Sequence, residues 1–137
     1  MKNRLIVSAV IKNGNKILLG KKPKNVGPYP NTFHIPGGGV NTNENVEDAI
    51  IREVKEETGL EIKNLVKIAW DTDIEPDKKG EETYYTFLQF TCDFSSGNLK
   101  AGDDMHTFEW IDIKDLSNQK LNKPTKILFK KLGYLKS

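Results

Sequence analysis

Residues 37–60 of the chain, GGGVNTNENVEDAIIREVKEETGL, combine features that a folded core alone does not require. The stretch begins with Gly37, Gly38 and Gly39, directly after Ile35-Pro36, so an apolar run ends in backbone without side chains. Glycine accepts positive φ angles and lets a charged ligand approach the main chain closely. We therefore predict a tight glycine loop here, with the main chain of Gly38 and Gly39 available to a substrate.

The segment after the glycines has the periodicity of a helix. Its apolar residues Val46, Ile50 and Val54 are four apart and fall on one stripe. Asparagines that favour turns and caps precede the segment, and Gly59 follows it. The pattern predicts a helix from Val46 to Thr58.

Three glutamates lie beside this stripe: Glu53, Glu56 and Glu57. Spacings of three and four residues gather them on one side of a helix, where like charges destabilise it by roughly 0.3 kcal/mol per pair. Divalent cations would relieve this repulsion, and carboxylate oxygens suit magnesium or manganese rather than zinc. The charge pattern alone is equally consistent with a solvated acidic helix face.

The complete spacing is more specific than the charge pattern. It consists of Gly38, five residues, Glu44, seven residues, Arg52-Glu53-Val54, one residue, Glu56-Glu57, one residue and Gly59-Leu60. This resembles the Nudix box, and every fixed position of that motif is filled. Asn41 and Asn43 stand where many members of the family have Glu and Gly, and Asn41 removes one outer ligand that those members have.

The resemblance to the MutT-like Nudix hydrolases implies an α/β fold, with a mixed β-sheet sandwiched between α-helices. The length of 137 residues suits a single such domain, residues 1–137. The resemblance also implies hydrolysis of a phosphoanhydride with Mg²⁺, for which Mn²⁺ could substitute. The metal ligands that it implies are Glu53, Glu56 and Glu57, helped by a main-chain carbonyl of Gly37 or Gly38.

Other site roles come from the same resemblance. Arg52 and Glu44 match the pair that supports the loop and orients the glutamates. The general base is left open among Glu56, Glu57 and Asp104, since Nudix enzymes often have an acid in the loop before the strand predicted at residues 107–111. A solvated loop carboxylate is the alternative for Asp104.

His34 lies just before the glycines, where it could contact a base or phosphate. The alternative for His34 is an ordinary strand residue. Asp71 and Asp73 fall on one face of a predicted strand and could hold a metal or a polar substrate group, or could lie at a wet strand end.

The remaining elements follow from alternation and turn signals. Leu5 to Ile11 and Lys16 to Lys22 flank Asn13-Gly14-Asn15, which predicts an antiparallel hairpin. Further strands are predicted at residues 61–74, 83–92 and 107–111, with a polar loop at residues 75–82 and a closing helix at residues 124–135.

Composition excludes several classes of partner. The net charge is +2 with 29% charged residues, so no large basic field attracts a nucleic-acid polymer, and we expect a small-molecule substrate. The apolar run near the N-terminus is too short for a membrane span and lacks a cleavage site. Cys92 is the single cysteine, which fits a cytoplasmic protein and a core position. A homodimer is left open.

Features outside the box resemble the NudI-type nucleoside triphosphatases of the same family. They are the start Arg4-Leu5-Ile6-Val7, Gly27 and Pro30 before Phe33, Gly37-Gly38-Gly39-Val40, Trp70 before an acidic stretch, Glu81-Glu82 before Tyr84, Asp103-Asp104 before Trp110, and Leu121-Asn122 followed by Thr125. This resemblance implies conversion of a nucleoside triphosphate, a pyrimidine deoxynucleotide, to the monophosphate and diphosphate.

Three alternatives stand beside it. The first is hydrolysis of a nucleoside diphosphate sugar such as ADP-ribose or GDP-mannose, and the second is a sanitising enzyme for oxidised dGTP. The third is a nucleotide-sensing Nudix-like domain without activity. The three intact glutamates, Glu53, Glu56 and Glu57, argue against the sensor.

Overall fold

The protein is described by a computed structural model for residues 1–22, 29–100 and 107–136. The candidate acid Asp104, together with Asp103 and His106, lies outside these residues. The strands are β1 (Lys2–Asn13), β2 (Lys16–Lys21), β3 (Phe33–His34), β4 (Gly37–Gly39), β5 (Glu61–Pro76), β6 (Glu82–Ser96) and β7 (Thr107–Asp112). The helices are α1 (Val46–Thr58), a 3₁₀ helix (Ile113–Asn118) and α2 (Lys123–Lys131).

The strands form one mixed sheet. Its path is β3-β2-β1-β6-β5, with β4 paired to β1 and β7 paired to β2. Strands β1 and β6 are parallel over a long register from Lys2 opposite Thr83 to Lys12 opposite Asp93, and the other pairs are antiparallel. Parallel neighbours need a long crossover connection, which here includes α1 and β5.

Two hydrophobic clusters cover the two faces of this sheet. On one face, α1 packs Ile50 and Val54 against strand residues such as Val7 and Phe90. On the other face, the 3₁₀ helix and α2 contribute residues such as Leu116 and Phe129. The predicted α/β fold, a mixed sheet between helices, is therefore confirmed. None of the helices described is long and apolar enough to cross a bilayer.

The prediction for the glycines is wrong in one respect. Gly37–Gly39 is a short strand with no positive φ, not a tight loop. Gly37 lies opposite Ser8 of β1, and a Cβ on Gly37 would stand 2.1 Å from the carbonyl oxygen of Val7. The glycines are thus needed for close approach of two strands, as glycine permits, rather than for a turn.

Other boundaries need smaller corrections. The polar loop expected at residues 75–82 shrinks to a turn at residues 77–81, because Asp77 Oδ1 accepts hydrogen bonds from the N–H groups of Lys79 (2.8 Å) and Glu81 (2.9 Å). The strands on both sides are longer than predicted. The closing helix ends at Lys131, and Gly133 follows at φ 80°. The predicted hairpin of β1 and β2 and the helix Val46–Thr58 are confirmed.

Candidate active site

A cleft of about 600 Å³ lies over the sheet beside β4 and α1. Its acidic side chains include Glu53 and Glu57. Its basic side chains are Lys2, Arg4, Lys22, Lys78 and Lys79. Its floor is formed by β1 and β6, which contribute Ile6, Ser8, Tyr85, Phe87 and Gln89. The cleft therefore combines carboxylates, cations and aromatic rings, which are the groups that contact metals, phosphates and bases, respectively.

Glu57 joins the helix to the glycine strand. The backbone N–H of Gly37 donates a hydrogen bond of 2.9 Å to Glu57 Oε1. Burial raises the pKa of Glu57 to about 8, and the nearby charge of Glu53 also raises it. This carboxyl group thus lies in a site where a positive charge is needed to keep it ionised at neutral pH.

Glu53 lies against the middle of the glycine strand. A Cβ on Gly38 would come within 2.4 Å of the Glu53 carboxylate, so only glycine leaves this carboxylate its position. Arg52 Nη1 donates to Glu53 Oε1 at 2.9 Å. Glu53 and Glu57 therefore both lie against the same short strand, at Gly38 and Gly37 respectively, within the cleft.

Arg52 and Glu44 make the pair that the sequence suggested. Arg52 Nε donates to Glu44 Oε2 at 2.8 Å, and Arg52 Nη2 donates both to Glu44 Oε1 at 2.9 Å and to the carbonyl of Gly39 at 3.0 Å. The hydrogen bonds from Arg52, followed by that from the N–H of Asn41, hold the pKa of Glu44 at about 2. Arg52 thus ties α1 to β4 and to the loop between them.

Glu56 differs from the other two glutamates. Its side chain is 60% exposed, it does not line the cleft, and it accepts a hydrogen bond from Arg52 Nη1 at 3.2 Å. In residues 1–22, 29–100 and 107–136, no three His, Cys, Asp or Glu side chains converge as a metal site does. The metal role of Glu53, Glu56 and Glu57 therefore stays a prediction, and it requires Glu56 to turn toward the cleft.

The donor chemistry of the site fits a hard divalent cation. Glu53 and Glu57 offer carboxylate oxygens in the cleft, beside the main chain of Gly37 and Gly38, where the carbonyl ligand stays a prediction. Gly38 lacks a side chain where a Cβ would meet Glu53, which keeps that carboxylate against the strand. Oxygen ligands of this kind are typical of Mg²⁺ and Mn²⁺ sites.

The substrate-binding predictions fall on the same cleft. His34 lines it and is 8% exposed, with its Nδ1 2.9 Å from the carbonyl oxygen of Ile35 and its ring edge-on to Phe108. Gly38 and Gly39 also line the cleft. A Cβ on Gly39 would stand 2.6 Å from Arg4 Nη2, so this guanidinium lies over the glycine main chain.

Asp73 was predicted to hold a metal or a polar substrate group, but it has partners within the chain. It accepts a hydrogen bond of 2.6 Å from the hydroxyl of Tyr29 and pairs with Lys123 at 3.3 Å, so it holds the ring of Tyr29 in place.

The sequence interpretation missed part of the cleft. Arg4 and Gln89 were not singled out as cleft residues. Alternation along β6 was the available signal for Gln89, since it places that residue on the same face as Phe87.

The fold and the cleft define a class of protein: an α/β domain in which a helix that carries carboxylates follows a short glycine strand. The chain belongs to the NUDIX domain family, whose profile matches residues 2–132. It is a MutT-like phosphoanhydride hydrolase that acts on nucleotide substrates. Nudix hydrolases generally use divalent metal ions.

Two relatives illustrate the range of similar enzymes. An ADP-ribose pyrophosphatase of Methanocaldococcus jannaschii is 38% identical over 112 residues, which cover 80% of this chain but only 62% of that relative. A nucleoside triphosphatase NudI of Klebsiella pneumoniae is 32% identical over 142 residues, covering 98% of this chain and all (100%) of the relative.

Solved structures show the same fold. A MutT NUDIX hydrolase from Burkholderia pseudomallei superposes with a TM-score of 0.75 at 27% identity, covering 95% of this chain and 98% of the other. The NUDIX domain of Shewanella oneidensis NrtR, complexed with ADP ribose, has a TM-score of 0.75 at 17% identity, covering 97% of this chain and 88% of the other. The second likeness concerns the fold alone.

Proposed function

We propose that the protein hydrolyses a nucleoside triphosphate, preferably a pyrimidine deoxynucleotide, to the monophosphate and diphosphate with Mg²⁺. The observation that carries this proposal is the cleft itself, in which Glu53 and Glu57 lie against the glycine strand beside a floor that contains Phe87. Its volume of about 600 Å³ is in the range of small-molecule sites. Similarity to the NudI enzymes over 98% of the chain supports the triphosphate.

In this reaction water attacks the α-phosphorus, a new P–O bond forms, and the bond to the bridging oxygen of the β-phosphate breaks. Diphosphate is the leaving group. A divalent cation, when bound, offsets negative charge on the phosphate oxygens and lowers the pKa of the attacking water. Basic side chains of the cleft such as Arg4 and Lys22 add positive charge near the phosphates.

The proton of the attacking water needs an acceptor among the chain's own acids. Glu57 is held in the cleft by the N–H of Gly37, and its raised pKa suits proton transfer near neutral pH. A cation beside the same carboxylate lowers its pKa again, which favours a second acid in that role. Glu56 and Asp104 are the other candidates.

A second function has an observation in its favour. The archaeal ADP-ribose pyrophosphatase is 38% identical to this chain, although the match spans 62% of its length. The same carboxylates would serve, since ADP-ribose also contains a phosphoanhydride. The substrate panel described below also tests GDP-mannose and oxidised dGTP as substrates. The same panel tests whether the protein is a nucleotide sensor without turnover.

The test is product analysis on a substrate panel with Mg²⁺, comparing the wild-type protein with Glu57→Gln and with Glu47→Gln. Glu47 lies on the same helix, is exposed and pairs with Lys67, so its variant controls for loss of a helix carboxylate. We expect monophosphate and diphosphate from dCTP, dTTP or dUTP, lost in Glu57→Gln and kept in Glu47→Gln. Turnover of only the sugar-linked diphosphates or of oxidised dGTP would contradict the proposed substrate, and nucleotide binding without any turnover would favour the sensor.

The proposal also covers the binding partner, the cellular compartment and the oligomeric state of the enzyme. The partner is a small nucleotide rather than a nucleic-acid polymer or a membrane, because a net charge of +2 provides no large basic field. Buried Cys92 in a reduced state fits the cytoplasm. A homodimer is an allowed assembly, and light scattering on the purified protein distinguishes it from a monomer.

A further inference from the structure

The floor of the cleft contains a buried amide to which the proposed catalysis gives no role. Side chains alternate between the two faces of a strand, so β6 turns Tyr85, Phe87 and Gln89 toward the cleft. Gln89 is 3% exposed, and the surface that it retains opens into the cleft. In the parallel register with β1 its neighbour is Ser8, another residue that lines the cleft.

The side-chain amide of Gln89 makes no hydrogen bond to any part of the chain that the structure describes. Once a bound ligand excludes water from the cleft, an amide left without a partner weakens binding. The buried hydroxyl of Thr58, by contrast, donates to the carbonyl of Val54 at 2.7 Å. A buried amide that faces a cleft without a protein partner is therefore a group that a ligand can satisfy.

Aromatic rings stand beside this amide. Phe87, two residues away on β6, stacks on Tyr85 with ring centroids 5.7 Å apart and an interplanar angle of 16°. The ring of Tyr29 lies 6.5 Å from Phe87, and its hydroxyl donates to Asp73 at 2.6 Å. The rings are thus held in place before any ligand arrives. A nucleobase has the matching form, a flat π-system whose edge carries hydrogen-bond donors and acceptors.

We propose that Gln89 determines the base preference of the enzyme by hydrogen bonding to the edge of a nucleobase that contacts the aromatic rings of the cleft. The proposal rests on the proposed nucleotide substrate and specifies how that substrate is selected. The amide has one acceptor oxygen and two donor hydrogens, so it pairs with an adjacent donor and acceptor on a base edge, N4–H and N3 of cytosine or N3–H and O4 of thymine and uracil. A base whose donor and acceptor lie elsewhere relative to the amide leaves it unpaired and binds more weakly.

The test measures affinity rather than turnover. Calorimetry with Mg²⁺ compares non-hydrolysable analogues of the deoxynucleoside triphosphates, an analogue of dCTP whose ring lacks the exocyclic amino group, and inorganic tripolyphosphate. The variant is Gln89→Met, which has a similar length but cannot form the hydrogen bonds. The control is Gln119→Met, because Gln119 lies outside the cleft and its side chain only reaches the carbonyl of Asp115 at 3.4 Å.

We expect the wild-type protein and Gln119→Met to prefer one base by about tenfold or more, as a lost hydrogen bond to a buried group predicts. In Gln89→Met this preference should fall to about threefold or less, while the affinity for tripolyphosphate is unchanged. If cytosine is the preferred base, the wild-type protein should also bind the analogue without the amino group about tenfold more weakly than intact cytosine nucleotide, a result that needs no variant to fold.

Three results would overturn the proposal: equal affinity of the wild-type protein for all bases, an unchanged base preference in Gln89→Met, or a parallel loss of tripolyphosphate binding in that variant. The last would mean that Gln89 supports the structure of the cleft. Hydrolysis of the natural nucleotides is measured separately. If the base preference is lost in Gln89→Met but the wild-type protein hydrolyses no nucleotide, the proposed function fails while the role of Gln89 is supported.

Discussion

The backbone N–H of Gly37 donates a hydrogen bond of 2.9 Å to Glu57 Oε1. This bond joins the second half of α1 to β4, the short glycine strand that pairs with β1. Twenty residues of sequence separate the two groups. The bond keeps a partly buried carboxylate at a fixed position in the cleft, beside Glu53. The site is thus organised by contact between the helix and the glycine strand.

Gly38→Ala tests this contact. The added Cβ would stand 2.4 Å from the Glu53 carboxylate, which must then move. A displacement of about 1 Å at a catalytic centre can cost on the order of a hundredfold in rate, and we expect a loss of that size in kcat. Steady-state kinetics on the substrate identified by the panel measures it.

Gly80→Ala is the control for this substitution. Gly80 has a positive φ of 80° and open space around its Cβ position, so alanine there should cost about 1 kcal/mol of stability without affecting turnover. If Gly38→Ala kept full activity, the position of Glu53 against the strand would be irrelevant to catalysis.

Arg52→Lys tests the support of the glycine strand. Lysine keeps the positive charge but cannot donate to Glu44 and to the carbonyl of Gly39 at the same time in the observed geometry. Groups that orient metal ligands typically change metal affinity or activity by about 10- to 100-fold, and we expect Mg²⁺ to be needed at correspondingly higher concentration. The Mg²⁺ dependence of turnover checks this.

Lys55→Arg, on the same helix and paired with Glu61 at the surface, should leave the Mg²⁺ dependence unchanged. An Arg52→Lys enzyme with the Mg²⁺ dependence of the wild type would refute the supporting role.

The pKa of Glu57 predicts how stability changes with pH in the metal-free protein. Burial raises this pKa from 4.5 to about 8, so between these values the folded state binds a proton that the unfolded state has released. The contribution of Glu57 to the free energy of unfolding should therefore fall as pH rises from about 5 to 8, by at most about 1.4 kcal/mol per pH unit. Urea unfolding in EDTA measures it.

Two comparisons isolate this effect. Glu57→Gln removes the titrating group, so its free energy of unfolding should lack this decline. Saturating Mg²⁺ should reduce the decline in the wild-type protein, because a bound cation stabilises the ionised carboxylate. Identical pH profiles for the wild-type protein and Glu57→Gln in EDTA would show that the pKa of Glu57 is not raised.

Cys92 should be chemically inert in the folded protein. It is 1% exposed, and burial raises the pKa of its thiol to about 12, so thiolate is scarce at neutral pH. We expect reaction with a thiol reagent such as Ellman's reagent to be at least about a hundredfold slower in buffer than in denaturant. Rapid labelling of the native protein at one equivalent would contradict its burial.

The helix of this site could be predicted from local signals. Asn45 caps Val46–Thr58 by accepting a hydrogen bond from the N–H of Asp48 at 2.8 Å, and Gly59 ends it in the left-handed conformation at φ 81°. Such caps depend on neighbouring residues, so sequence reveals them. The grouping of carboxylates on this helix and the pairing of Arg52 with Glu44 could also be predicted, because they too depend on residues close together in the sequence.

The remaining features depend on contacts between distant parts of the chain. Gly37–Gly39 has little strand propensity, and pairing with β1 imposes its extended form. Glu56 shares the donor Arg52 Nη1 with Glu53 but does not line the cleft, a difference that helical spacing alone does not reveal. Alternation places Phe87 and Gln89 on one face of β6, but only the three-dimensional arrangement of β1, β4 and β6 shows that this face lines the cleft.

The most direct test of the account is the rate of nucleoside monophosphate formation from dCTP, dTTP and dUTP, measured with Mg²⁺ and with EDTA. The proteins compared are the wild type, Glu53→Gln, Glu57→Gln and Glu47→Gln. We expect Mg²⁺-dependent turnover in the wild type and Glu47→Gln, and a loss of at least about a hundredfold in Glu53→Gln and Glu57→Gln at unchanged fold. Full turnover in Glu53→Gln and Glu57→Gln, or in EDTA, would show that these two carboxylates beside the glycine strand do not form a metal-dependent catalytic centre.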